Sequence, residues 1–185
     1  MADITAESAP PRGEVAALVA VQSALAGRPG ALAAARALSY FGEHSLGWLA
    51  VSAFGAAVQP AERRRAWLVA GGGAFAAHAA AVVIKRLVRR SRPHQPAVAV
   101  NVGTPCSLSF PSAHATSTTA AAVLLAQATG LPLPVMLVPP MALSRVLLGV
   151  HYPSDVATGV AVGAAVAAIV SRVDDRSRKT GGAGT

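Results

Sequence analysis

Cysteine is nearly missing from this chain. It occurs once, at Cys106, which excludes an intrachain disulfide and any cysteine-based metal site. Charge is scarce too. Charged residues are 13% of the 185 and hydrophobic residues 53%, where an ordinary soluble domain carries about 25% charge. That balance excludes a soluble protein of this size and points to a membrane. Acidic residues are outnumbered, eight against sixteen Lys and Arg, for a net charge of +8. The basic residues gather at the ends of apolar runs and not on one soluble face. This argues against nucleic acid and for anionic headgroups or a phosphorylated substrate as partners. An internal repeat of the transporter kind and low-complexity segments are also lacking. The opening "MADITAESAPPRGE" carries Asp3, Glu7 and Glu14 without a basic n-region, so no cleavable signal peptide is expected.

What is present is a series of apolar runs. A spanning helix needs about 20 such residues for a hydrocarbon core of about 30 Å. The runs 44–59, 66–88, 113–130 and 155–171 come close. A fifth, 131–150, contains Pro132, Pro134, Pro139 and Pro140, which a bundle tolerates where neighbours satisfy the freed backbone groups. A sixth, 15–27, is short: it spans if extended or lies in the interface as an amphipathic helix, and spanning is the favoured reading. The expected fold is therefore all-α: an integral-membrane helical bundle of about six spans over residues 14–172, between disordered tails at 1–13 and 173–185. Residues 28–43 are read as a connecting segment. Small residues such as those in "AGGGAFAAHAAA" at 70–81 let helix backbones approach closely. With Arg63, Arg64 and Arg65 as the cytoplasmic anchor, the 89–111 loop and His151 lie on the opposite, extracytoplasmic side.

Three polar clusters interrupt the runs. In "KRLVRRSRP", 85–93, Lys85 and Arg92 share a helix face if the helix persists, although Pro93 discourages helical geometry at Arg92. Arg86, Arg89 and Arg90 read as an interfacial belt that snorkels to headgroups. In "FPSAHATSTT", 110–119, Ser112 is a natural N-cap. The free amides behind it make an anion site, with His114 in the first turn. In "SRVLLGVHYPSD", 144–155, Arg145, His151 and Asp155 stand close to hydrocarbon, where such groups are costly unless used. Asp155 opens a helix and meets His151 across its entrance. A carboxylate there fixes the imidazole tautomer and supports positive charge on it, leaving the other nitrogen free to attack. Each cluster alone has a bland reading as a belt, a cap or an ion pair anchoring a turn. Alternate span ends nevertheless place all three on one side of the bundle, and together they describe a phosphate site with a nucleophile.

These stretches resemble the signatures K-x6-R-P, P-S-G-H and S-R-x5-H-x3-D of the type 2 phosphatidic acid phosphatase superfamily, in order, over about residues 85–155. The resemblance implies a membrane lipid phosphatase with no metal and no cofactor. It implies that His151 is the nucleophile that forms a phosphohistidine, that Asp155 orients it, and that His114 protonates the leaving alcohol. Lys85, Arg92, Ser112 and Arg145, with the amides of Ala113 and His114, would hold the phosphate. The family usually has glycine where this chain has Ala113, which is acceptable if that residue is helical and its methyl points away from the phosphate. The short alanine-rich chain is also similar to actinobacterial members that dephosphorylate a decaprenyl-phosphate-linked phosphoribose in arabinan precursor synthesis. That likeness implies a polyprenyl-linked phosphate monoester as substrate and a bacterial plasma membrane as location. Other substrates consistent with the clusters are phosphatidic acid, phosphatidylglycerophosphate and a polyprenyl diphosphate; the non-enzymatic alternatives are a membrane scaffold or a small transporter. Membrane lipids surround the bundle, and no protein partner is legible. His78 reads as a buried, hydrogen-bonded histidine, His44 as interfacial, and the 94–110 loop as a roof over the site.

Overall fold

Proline, glycine and charge punctuate the described residues into seven α-helices. The structure, a computed structural model, describes residues 10–182. The helices are α1 (Gly13–Leu25), α2 (Ala31–Gly42), α3 (Leu46–Val58), α4 (Ala61–Val88), α5 (Ala113–Thr129), α6 (Leu133–Leu147) and α7 (Pro153–Gly182), with a 3-10 turn, Glu43–Ser45, between α2 and α3. Two of them, α4 and α7, are long and apolar enough to cross a membrane.

The bundle is built around α5, which packs on α4, α6 and α7. Its buried residues are alanine, serine and threonine from Ala115 to Ala122, then Leu124 and Leu125. Hydroxyls inside a membrane bundle need partners, and these find them within reach. Thr116 Oγ1 donates to the Ser112 carbonyl and Thr119 Oγ1 to the Ala115 carbonyl, each at 2.8 Å. Trp48 Nε1 of α3 donates to Thr118 Oγ1 at 3.1 Å. The large apolar side chains face outward instead: Leu68, Phe75, Val83 and Leu87 on α4, Val135 and Met136 on α6, Ile169 and Val173 on α7 are all more than half exposed. Small and polar inside, bulky and apolar outside is the pattern that a lipid solvent selects, and it makes this a membrane protein.

Two glycines set the α5–α7 distance. A Cβ on Gly159 would stand 2.7 Å from the Ser112 carbonyl oxygen, and one on Gly163 would overlap the Thr116 carbonyl. Their four-residue spacing puts both on one face of α7, so the backbones touch. At the far end from the three clusters, Asp174 of α7 accepts from Arg65 of α4 at 2.7 Å and from Arg178 at 2.8 Å.

The structure corrects four expectations. Residues 31–42, read as part of a connection, form α2, because "ALAAARALSYFG" is a run of helix formers too short to register as a span. Residues 173–182, expected within a disordered tail, continue α7, supported by the Arg65–Asp174–Arg178 charges. The N-terminal tail expected at 1–13 lies, up to residue 9, outside the described residues, and Gly13 already opens α1. Finally, α4 ends at Val88, where Arg89 turns left-handed (φ 55°) and its N–H caps the Lys85 carbonyl. Arg92 thus reaches Lys85 through the loop and not along a shared helix face.

Candidate active site

The C-terminal end of α4, the N-terminal end of α5 and the α6–α7 junction meet at one end of the bundle. They enclose a cavity of about 290 Å³ lined by Lys85, Arg92, Ala113, His114, Arg145 and His151, among others. Backbone bonds join the clusters directly: the Ser112 amide donates to the Asp155 carbonyl at 2.9 Å, so the cap of α5 is anchored on the first turn of α7.

His151 stands in the α6–α7 turn with 2% of its surface exposed. Its Nε2 faces Arg92 Nη1 at 3.3 Å, and its Nδ1 faces Asp155 Oδ2 at 3.7 Å. The first contact makes Nε2 the nitrogen with the lone pair. The second is too long for a hydrogen bond and acts through charge. Burial pushes the His151 imidazole down to about 3; Asp155 pulls the other way, while Arg92, Lys85 and Arg145 add to the downward push. The ring is therefore neutral near pH 7, as an attacking nitrogen must be.

Asp155 is fully buried and doubly held. Its Oδ2 accepts the Tyr152 amide at 2.9 Å and its Oδ1 accepts Arg90 Nη1 at 2.9 Å. Arg92 is fixed by donating from Nε to the Cys106 carbonyl at 2.9 Å and from Nη1 to the Val150 carbonyl at 2.7 Å. Lys85 Nζ donates to the carbonyls of Leu108 (3.0 Å) and Pro111 (3.1 Å), tying the loop to α4. Arg145 is 2% exposed; its Nε donates to Ser144 Oγ at 3.2 Å, and its buried Nη2 has no partner among the described residues. An orphaned donor on a buried cation is costly unless an anion completes it.

Ser112 caps α5 by accepting the Ala115 amide at its hydroxyl, 3.4 Å away. Ala113 is the first helical residue and lies outside the left-handed region, so the backbone does not require the glycine of the usual signature there. Ala113 and His114, whose first-turn amides have no helical partner, both line the cavity. His114 Nε2 lies 2.9 Å from the Ser39 carbonyl of α2, which places the proton on Nε2 and leaves Nδ1 for another partner.

All eight residues singled out in the sequence thus come together: six on the cavity wall, with Ser112 and Asp155 buried behind it. Several others were missed. Arg90, read as belt, binds Asp155; Pro93 nearby was the signal that the helix ends and that arginines beyond Val88 belong to a loop. The α2–α3 junction lines the cavity with Ser39, Tyr40, Glu43 and His44, and His78 of α4 lines it opposite them. His78 is not the hydrogen-bonded core histidine expected, because its buried Nδ1 has no partner among the described residues and its ring meets His44 edge-on at 5.7 Å. From the loop, residues 102–106 and Leu108 close the wall, the position expected of a roof.

In chemical terms the site offers a neutral imidazole backed by a carboxylate, a second imidazole, three cations and unpaired helix amides around one void. The model of the PAP2 superfamily matches residues 66–179. Proteins named decaprenylphosphoryl-5-phosphoribose phosphatase from two strains of Mycobacterium tuberculosis are 71% identical over 172 residues, covering 91% of this chain and 97% of theirs. One of the same name from Mycolicibacterium smegmatis is 74% identical over 149 residues, covering 80% and 82%. The crystal structure of a transmembrane PAP2-type phosphatidylglycerolphosphate phosphatase from Bacillus subtilis matches with a TM-score of 0.66 at 22% identity, over 86% of this chain and 85% of that one.

Proposed function

This chain belongs to the PAP2 superfamily, and from that premise we propose how its site acts as a metal-independent membrane phosphatase on decaprenylphosphoryl-5-phosphoribose. The substrate is that of relatives more than 70% identical over most of the chain. The observation that carries the mechanism is the convergence of Lys85, Arg92, Arg145, His114 and His151 on one cavity. Lys85, Arg86, Arg92 and Arg145 line the cavity with Glu43, and Arg90 beside it pairs with Glu14 and Asp155, which sets five cations against three carboxylates. The surplus of two positive charges matches a phosphate monoester dianion.

The phosphate sits against Lys85, Arg92, Arg145 Nη2 and the first-turn amides of α5 behind Ser112, where its equatorial oxygens are neutralised. His151 Nε2 attacks phosphorus as the bond to the ribose 5-oxygen breaks. Asp155 stabilises the imidazolium character that develops at Nδ1. The bound phosphate dianion stabilises His114 as the imidazolium, which keeps its Nε2 proton on the Ser39 carbonyl and delivers its Nδ1 proton to the leaving oxygen, giving the free 5-hydroxyl. Water, deprotonated by the same His114, then attacks the phosphohistidine; the N–P bond breaks and inorganic phosphate leaves. The cavity extends past the phosphate ligands to Tyr40, Glu43, His44 and His78, and the pentose occupies that part.

Arg63, Arg64, Arg65, Arg172, Arg176, Arg178 and Lys179 all lie at the end of the bundle opposite the site. Once Lys85, Arg90, Arg92 and Arg145 are set aside as engaged at the site, its end keeps Arg12, Arg28, Arg36, Arg86 and Arg89, five against seven. By the positive-inside rule that difference favours a site facing outward from a bacterial plasma membrane.

The test is phosphate release by the detergent-solubilised chain with excess chelator, from polyprenylphosphoryl-5-phosphoribose, phosphatidic acid, phosphatidylglycerophosphate and polyprenyl diphosphate. Release from the first should exceed the others, survive chelator and vanish in His151→Ala. A folded His151→Ala variant with undiminished turnover would overturn the mechanism, and preference for another lipid would overturn the substrate.

A further inference from the structure

Arg90 occupies a variable position of the first signature, yet it bridges three elements. Its Nη1 donates to Asp155 Oδ1 at 2.9 Å and to Ser154 Oγ at 2.7 Å; its Nη2 donates to Glu14 Oε2 at 2.7 Å. Glu14 Oε1 in turn accepts the Ser154 amide at 2.8 Å, closing a ring of bonds between α1, the loop and the start of α7. The guanidinium also lies 4.2 Å over the ring centre of Tyr152, whose amide holds the other oxygen of Asp155. Every oxygen of the buried carboxylate is thereby assigned before His151 is considered.

We propose that Arg90, oriented by Glu14, is a positioning residue for catalysis: it fixes Asp155 and takes up part of its charge, so that His151 is aimed without being protonated. This rests on the reading of His151 as the nucleophile. The reasoning is electrostatic as well as geometric. A carboxylate shared with an arginine attracts an imidazolium proton less than one left alone. Burial works against the Arg90 guanidinium, but Glu14 and Asp155 outweigh it and hold its pKa above the usual value, so the shared charge is permanent. The other groups around His151 are Lys85 from α4, Arg92 from the loop, Arg145 from α6 and His114 from α5. All of those except His114 are cationic, so Asp155 is the one carboxylate acting on the imidazole, and Arg90 governs how strongly it acts.

The experiment measures kcat, KM and the pH dependence of kcat for the full-length solubilised chain on a short-chain polyprenylphosphoryl-5-phosphoribose. Arg90→Gln, Arg90→Lys and His151→Ala run beside wild type. Arg90→Gln should lower kcat about tenfold to a hundredfold, the scale of a misaligned reacting group, with KM within about twofold because phosphate ligands are untouched. Its acidic limb should move to higher pH, since the unshared carboxylate favours protonated His151. Arg90→Lys, which returns the charge without the fork, should bring that limb back toward wild type while recovering only part of kcat. An Arg90→Gln profile superimposable on wild type in pH, whatever its height, overturns the proposal, because a merely structural arginine would leave the limb in place. Activity in folded His151→Ala would instead remove the underlying reading, and the two failures are distinct. If Arg90→Gln does not accumulate, Glu14→Gln tests the same coupling, since it frees the second guanidinium nitrogen and leaves the Asp155 pair intact. Its kcat should fall about threefold or more at unchanged KM, and a folded Glu14→Gln with wild-type kcat overturns the proposal.

Discussion

Replacing Gly42 by alanine should damage catalysis without damaging the fold. Gly42 closes α2 with φ −81° and ψ −4°, a conformation any residue adopts, so alanine meets no backbone strain. What it meets is His114. The new Cβ would stand 2.7 Å from His114 Cδ2 and 3.2 Å from Met141 Cε. The methionine end is flexible and yields at little cost. The imidazole must retreat by about 0.7 Å to reach an ordinary contact of 3.4 Å. A retreat of that size strains the 2.9 Å bond from Nε2 to the Ser39 carbonyl and shifts the ring against the leaving oxygen. Displacements near 1 Å cost about a hundredfold in rate, so kcat should fall about 10- to 100-fold, with KM within about twofold. Stability should fall only modestly, by about 1 kcal/mol, the scale of one strained buried hydrogen bond, since Gly42 ends α2 and the change there gains little helix propensity. Steady-state phosphate release and a thermal unfolding curve on the same preparation test both halves. A folded Gly42→Ala enzyme with kcat within twofold of wild type would show that the α2 contact does not position His114.

Two further outcomes follow from the geometry. The His151 imidazole protonates near 6.5 in the unfolded chain but only at about 3 in the folded one, so the unfolded state takes up more protons between those values and stability should fall as pH drops through that window. Nitrogen-15 spectra of histidine-labelled protein should show the His151 ring neutral at pH 5, and a midpoint near 6.5 would contradict the burial argument. In the outer part of the cavity, His78→Ala should raise KM for the phosphoribose lipid about fivefold or more, the loss of roughly one polar contact, while phosphatidic acid hydrolysis stays as it was. An equal loss on both substrates would place His78 in the support of the phosphate site.

The phosphate-binding half of the molecule was legible because its chemistry is written in side chains. Lys85, Arg92, His114, Arg145, His151 and Asp155 are costly near lipid, and their spacing around Pro93, Pro111 and Pro153 marks the helix ends that bring them together. The second half was not legible, because backbone and tertiary proximity supply it. Ser39 acts through a carbonyl, which any residue provides. Gly42 acts by what it leaves out. Arg90 sits in a row of arginines, and only the left-handed turn at Arg89 separates it from Arg86 on the helix above. The α2 helix carries Arg36 and Ser39 among alanines and is 12 residues long, too short to read as a span, so from sequence it reads as part of a connection. For the C-terminal end, "RVDDRSRKT" has the composition of a solvated tail, and its helix depends on Arg65, more than a hundred positions away.

Cys106 adds a practical consequence to its rarity. The thiol is exposed, belongs to the loop segment at the cavity wall, and its carbonyl braces Arg92. The chain therefore carries a single native attachment point, at the mouth of its own site. A maleimide that cannot cross lipid would label intact cells only if that mouth opens outward, and a fluorophore placed there would report substrate entry without any engineered mutation.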